Sequence, residues 1–237
     1  MLYCLRSVNL MEKGRIFYME TWKNNDLFIF ENLITEDVGH ENALKTRCDN
    51  NLPEMEVSSA QGKFLYLLAK IKGAKRILEL GTFIGYSTIW LAKAIPDDGI
   101  VISLEYEKHY ADLARENIEH AGFSNNVKVL QGDATDLLNK MIADEEQPFD
   151  MIFIDADKPN YPKYLKLALQ LSKPGTVIYG DNVVRDGELC NTKSTDEKVN
   201  GVRRFIEDLG SSEDLESTAL QTVGIKGYDG FTMSIVK

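Results

Sequence analysis

Arg76-Ile77-Leu78-Glu79-Leu80-Gly81-Thr82-Phe83-Ile84-Gly85-Tyr86-Ser87-Thr88-Ile89-Trp90-Leu91-Ala92 is the stretch whose reading decides the fold. The apolar run from Ile77 to Leu80 reads as a buried strand. Gly81 and Gly85 follow, and an apolar helical pattern begins immediately after them. Glycine lets the chain turn sharply and lets a ligand come close to the backbone. A helix starting here directs its free N–H groups at whatever lies above the strand. The unit is a strand, a glycine turn and a helix, the frame of a nucleotide-type site.

Working outward, the same alternation recurs. Apolar runs predict strands over 76–80, 100–104, 127–131, 149–155 and 176–180, with helices over 84–94, 107–121, 135–143 and 161–171. Pro96, Gly99, Gly122, Pro148, Pro174 and Gly175 punctuate the joins. Alternating βα units with apolar strands predict a mostly parallel sheet with helices on both faces, a Rossmann-like α/β fold. The tail departs from the pattern: a helix over 197–209, then strands over 218–225 and 229–236, joined closely enough to be antiparallel. Before the sheet, 26–34 reads as a short amphipathic helix with Asp26 as its cap. Ser58 or Ser59 caps another helix, whose apolar face is Phe64, Leu65, Leu67, Leu68 and Ile71 and whose end is Gly73. Residues 1–51 form an N-terminal extension and 52–237 the main domain. Met19 is as good a start as Met1, so residues 1–18 read equally as part of the chain or as a non-native or disordered leader.

The 237 residues are 43% hydrophobic with a net charge of −10. That charge opposes broad binding to nucleic acid or to an anionic membrane. No apolar run approaches the roughly 20 residues of a membrane helix. Three widely separated cysteines, Cys4, Cys48 and Cys190, fit a reducing cytoplasm. His40, His109 and His120 fall outside every motif. Tyr86 and Trp90 read as packing residues.

A dinucleotide site prefers Gly-x-Gly-x-x-Gly after its first strand, and Gly81-x-x-x-Gly85 fails that pattern. Glu79 at the strand end would repel a phosphate and attract a cation. Glu105 ends the second strand, where a carboxylate can accept from both ribose hydroxyls. Asp133 ends the third, within reach of an adenine amino group. Each carboxylate alone reads equally well as a solvated strand-end residue. Together they suggest a cationic, phosphate-free nucleoside: S-adenosylmethionine.

The fourth and fifth strands end in Asp155-Ala156-Asp157-Lys158 and Asp181-Asn182. Asp155, Asp181 and Asn182 offer three hard oxygen donors on one rim, which suits Mg²⁺, or Ca²⁺ or Mn²⁺ as substitutes. Helix capping and an Asp-Asn turn are the competing readings. Lys158 beside a cation would have its charged form disfavoured and become usable as a base. Asp150 and Asp157 read as solvated.

These motifs, from Ile77 to Ser87, then Asp155 to Lys158, then Asp181-Asn182, resemble the cation-dependent O-methyltransferases. That family includes catechol O-methyltransferase, plant caffeoyl-CoA O-methyltransferase and small bacterial relatives. The resemblance covers about residues 52–237, and Met55-Glu56-Val57 and Asp229-Gly230-Phe231-Thr232 fit it too. It implies a seven-stranded methyltransferase sheet with an antiparallel last strand, and a homodimer. It also implies roles: Glu79, Gly81 and Ser87 along the methionine part of the cofactor, Glu105 on the ribose, and Asp133 and Ala134 at the adenine. Met55 and Val57 would flank the sulfonium, Asp155, Asp181 and Asn182 would bind the metal with Asp155 also beside the cofactor, and Lys158 would be the base. The implied reaction moves a methyl group to one hydroxyl of an aromatic vicinal diol such as a catechol, caffeoyl or flavonoid compound. Two alternatives remain at this point. One is a hydroxylated uridine of tRNA, met by a basic patch of Arg185, Lys193, Lys198, Arg203 and Arg204. The other is a non-catalytic S-adenosylmethionine-binding protein.

Overall fold

In the computed structural model, residues 10–237 are described, with side chains from residue 20 onward. Cys4 and half of the expected leader fall outside the described residues. The remainder of the leader belongs to a helix, α1 (Leu10–Leu33), which corrects the expected short helix over 26–34. Asp26 is therefore internal to a helix rather than its cap. Its carboxylate instead accepts from the backbone N–H of Ile225, 2.7 Å away, and ties the helix to the far end of the chain. No described helix is long and apolar enough to cross a membrane.

Two further helices precede the sheet: α2 (Val38–Asp49) and α3 (Ser59–Lys72). Ser58 caps α3 by accepting from Gln61 N at 3.2 Å, and Gly73 closes it in the left-handed conformation, as the sequence predicts. The buried face differs from the expected one. Phe64, Leu67 and Ile71 are exposed, and Gly62, Leu65 and Ala69 face the core. The reason is Trp90. A Cβ on residue 62 would lie 2.3 Å from the indole, so the helix turns its glycine, not its largest side chains, to the sheet layer.

The alternating part follows as β1 (Arg76–Leu80), α4 (Tyr86–Ala94), β2 (Ile100–Glu105), α5 (Lys108–His120), β3 (Val127–Gln131), α6 (Ala134–Ala143), β4 (Phe149–Ile154), α7 (Tyr161–Gln170) and β5 (Ser172–Asp181). Then come α8 (Glu197–Ser211), β6 (Leu215–Gly224) and β7 (Gly227–Val236). The strands form one seven-stranded sheet in the order β3-β2-β1-β4-β5-β7-β6. The first five run parallel, and β7 is antiparallel to both β5 and β6. The fold class read from the sequence is thus the one observed.

Side chains alternate across the sheet. Leu78, Leu80, Ile152, Ile154 and Ile178 pack under α6, α7 and α8. Ile77, Val101, Met151, Phe153 and Tyr179 pack under α2 to α5. Both faces are covered, which is why these strands read as continuous apolar runs rather than alternating ones. The chain order reverses between β1 and β4, and in open α/β sheets ligands bind at such a switch point, beyond the carboxyl ends of the strands.

Candidate active site

Beyond those strand ends lies a cavity of about 860 Å³. The site residues expected from sequence that line it are Met55, Val57, Gly81, Ser87, Glu105, Asp133, Ala134, Asp155, Lys158, Asp181 and Asn182. One does not: Glu79 is fully buried beneath the floor of the cavity. Its oxygens accept hydrogen bonds from Ser87 Oγ at 2.6 Å, Thr88 Oγ1 at 2.5 Å and Ser103 Oγ at 2.6 Å. The expected contact with a ligand is corrected to a positioning role. Glu79 anchors the first turn of α4 to β1 and β2, and so sets where the helix N-terminus stands.

Burial pushes the Glu79 carboxyl up to about 7, against the opposing pull of the Ser103, Ser87 and Thr88 hydroxyls. In the unfolded chain the proton leaves at the ordinary glutamate value of 4.5. The native state therefore binds more protons between those values, and stability is lost as pH rises through that window. Glu79→Gln removes the titration. Between about pH 5 and about pH 8 the parent loses about 2–3 kcal/mol from this group, and the variant does not. Chemical denaturation at the two pH values checks this; equal pH dependence in both proteins would refute it.

Gly81 sits at φ 98°, and a Cβ there would lie 2.1 Å from the carbonyl oxygen of Asp155. No side chain fits, so β1 and β4 stay close where the chain leaves the sheet. Glu105 holds the same turn from the other side. Its Oε2 accepts from Thr82 N at 3.2 Å and Phe83 N at 2.7 Å, and its Oε1 accepts from Glu107 N at 2.9 Å. A carboxylate has about four acceptor sites. Three are taken, so the expected grip on two ribose hydroxyls is narrowed to one free site, on Oε1. Asp133 likewise caps α6, accepting from Thr135 N at 2.8 Å and Asp136 N at 3.2 Å through Oδ1, which leaves Oδ2 for a ligand.

At the other end of the cavity are the carboxyl ends of β4 and β5. Lys158, only 7% exposed, donates to Asp155 Oδ1 at 2.7 Å and to the Tyr161 hydroxyl at 2.8 Å. Tyr161 in turn lies within 3.0 Å of the carbonyls of both Ile154 and Asp181. One phenol thus braces the two strand ends that carry the aspartates and fixes the lysine between them. Asp181 is 4% exposed, and burial together with the charge of Asp155 pushes its carboxyl up to about 7. Asn182 follows at φ 54°, a left-handed conformation asparagine tolerates better than most residues.

Two carboxylates that oppose each other's charge, with an amide oxygen beside them, are a donor set that a hard divalent cation relieves. Among the described residues no group of three His, Cys, Asp or Glu side chains gathers as a metal centre; this set is two carboxylates and an amide. The residues fit a cation of the magnesium type.

Several contributors were not anticipated. Tyr161 is the clearest, and its spacing of three from Lys158 was the available signal. Tyr164 hydrogen-bonds Asp157, and Gln61 donates to the Tyr179 hydroxyl at 3.4 Å. Asp157 is exposed, as expected, and is also hydrogen-bonded. Asp150 is engaged rather than solvated: it accepts from Lys75 N and Arg76 N and pairs with Lys173 at 2.7 Å. His40 is fully buried against Trp90, while His109 and His120 are at the surface. Tyr86 and Trp90 are packed as expected. Cys48 and Cys190 are free and exposed. The anticipated basic patch is divided. Arg185 and Lys198 line the cavity, and Arg204 faces a separate cleft on α7 and α8. Arg203 donates to the carbonyls of Leu189 at 3.1 Å and Asn191 at 2.6 Å.

A five-stranded parallel core with an antiparallel β7, and carboxylates at successive strand ends around one crevice, define a Rossmann-like methyltransferase. The O-methyltransferase family model matches residues 34–235. A catechol O-methyltransferase from Niastella koreensis is 46% identical over 220 residues, covering 90% of this chain and 100% of the relative. An O-methyltransferase from Bacillus cereus in complex with SAH superposes with a TM-score of 0.91 at 50% identity, over 92% of this chain and 100% of that one. The O-methyltransferase TomG from Streptomyces achromogenes, in complex with SAM, gives 0.90 at 43% identity, over 92% and 98%. The chain belongs to the O-methyltransferase family and is an O-methyltransferase.

Proposed function

We propose that this enzyme takes a methyl group from S-adenosylmethionine and delivers it to one hydroxyl of a catechol-type aromatic, with a divalent cation, magnesium first, at Asp155, Asp181 and Asn182. The carrying observation is that Lys158 and this oxygen donor set share one cavity with the strand-end residues Glu105 and Asp133. The relatives named as catechol O-methyltransferases support the acceptor class. The neighbours bound to SAH and SAM support the donor.

The cation at such a set supplies Lewis acidity and a template for two adjacent oxygens. This chain supplies the rest. Lys158, fixed by Tyr161, takes the proton of the reacting hydroxyl. Gly81, Ser87, Met55 and Val57 border the methyl donor, so that the oxygen meets the methyl carbon opposite the departing sulfur. Holding two reactants in attack geometry is worth up to about 7–11 kcal/mol in well-oriented systems. Arg203 is engaged with the loop carbonyls, which weakens the patch that a tRNA acceptor would need.

The test is transfer from labelled S-adenosylmethionine to catechols, caffeoyl esters, flavonoids and total tRNA, each with Mg²⁺ and with EDTA. Metal-dependent labelling of the small diols is expected. Labelling confined to tRNA, or unaffected by EDTA, would overturn the reading.

A further inference from the structure

Four cationic side chains line the cavity: Lys158, Arg185, Lys198 and Lys226. Two of them are tied to neighbours. Lys158 is held by Asp155 and Tyr161. Lys226 is held by the Glu54 carbonyl at 3.3 Å and the Glu56 carboxylate at 3.4 Å. The other two are held more loosely: Arg185 has one long ion pair, to Asp229, and Lys198 is exposed. Among the described residues, the Arg185 guanidinium makes no hydrogen bond, and its Nε is buried without a partner. The carboxylate beside it, Asp229, is 3.9 Å away through Oδ2, beyond hydrogen-bond reach. The other Asp229 oxygen is engaged by Val184 N, Arg185 N and Gly230 N. The Lys198 ammonium has no ion pair or hydrogen bond with described residues either.

Both loosely held cations approach the acceptor end. Arg185 lies three residues beyond Asn182. Lys198 is in the first turn of α8, and α8 packs on the 3-10 turn Lys158–Asn160 that carries the base. A partly buried guanidinium whose donors are left without acceptors is costly, and its long contact with Asp229 does not meet them. Its planar fork matches a carboxylate.

We propose that the acceptor carries a carboxylate on its ring or side arm, seated on Arg185 and Lys198, while its diol lies at Asp155, Asp181 and Asn182. This rests on the catechol reading above. It narrows the substrate class from catechols in general to acidic catechols, and it makes Arg185 and Lys198 the residues that set the choice.

The experiment measures kcat/KM for 3,4-dihydroxybenzoate and for caffeate, each against its own methyl ester, with S-adenosylmethionine and Mg²⁺. The full chain and the Arg185→Gln/Lys198→Gln double variant are compared. The acid of at least one pair is expected to lead its ester by about tenfold or more, chiefly through KM, because a charge-assisted contact is lost in the ester. The ratio is expected to fall towards one in the double variant. Taking the ratio within each protein cancels any loss of folded enzyme. Esters equal to or better than acids in both pairs would overturn the inference alone, as would a preference that survives the double substitution. No turnover of any catechol would overturn the parent reading and the inference with it.

Discussion

Lys158→Met is expected to lower kcat for methyl transfer by about 10²–10⁴-fold, the range a positioned base contributes, with little change in affinity for S-adenosylmethionine. The lysine is buried and held by two short hydrogen bonds, so its amine has one place to be. Methionine keeps the length and apolar stem while removing the nitrogen. Lys158→Arg sharpens the test. A guanidinium keeps the charge beside Asp155 but cannot take a proton at ordinary pH. If Lys158 acts as a base, both variants fall alike in kcat, while titration calorimetry finds the cofactor still bound. An arginine variant with near-parental kcat would assign the residue to charge alone and end its role as base.

Asp181→Asn carries the second large effect, and its two consequences have opposite signs. If Asp181 holds the cation as proposed, a donor loses its charge, and the loss of Lewis-acid stabilisation is expected to lower kcat by about a hundred- to a thousandfold, several kcal/mol at the barrier. Added Mg²⁺ is expected to restore only part of it. The folded chain without cation moves the other way. Burial and the neighbouring Asp155 hold the Asp181 carboxyl at about 7, so above that pH the native state carries a buried charge that Lys158 offsets only in part. A raised carboxyl value means stability is lost as pH rises towards 7, and the amide escapes that loss. At about pH 8 in EDTA the variant should therefore unfold at higher denaturant than the parent. An inactive variant that is also less stable in EDTA would point to a plain folding defect.

Much of the architecture is legible in the sequence because parallel strands covered on both faces must be apolar throughout. Ile77 to Leu80 and Phe149 to Ile154 could be little else. The start of β5 was not legible. Pro174 and Gly175 read as a break, yet the strand begins at Ser172. The pairing explains it: the β4–β5 register shifts between Phe149 and Met151, and the irregular segment absorbs the proline and glycine. Helix α1 was misjudged for a different reason. Of its described side chains, Leu27, Phe28 and Leu33 are exposed while Trp22, Asp26 and Phe30 are half-buried, so the inward stripe is narrow, contains a charge and does not follow the apolar residues.

The site divides in the same way. Residue types at strand ends are visible as spacing, which is why Asp155, Lys158, Asp181 and Asn182 could be named. What a buried carboxylate faces is a tertiary fact. Glu79 looked like a ligand for a cation until Ser87, Thr88 and Ser103, brought from a helix and a second strand, closed around it. Tyr161 has only its spacing of three from Lys158 to mark it in the sequence; that it braces two strand ends is a tertiary fact.

The segment Arg185–Asn191, between the metal set and α8, is fastened at its far end by Arg203. That arginine grips the main-chain oxygens of Leu189 and Asn191, not their side chains. An anchor that ignores side-chain identity leaves the loop's surface chemistry open to change while its backbone path is kept. Residues 186–191 can therefore be replaced without moving the loop's backbone anchor, provided that position 203 stays arginine.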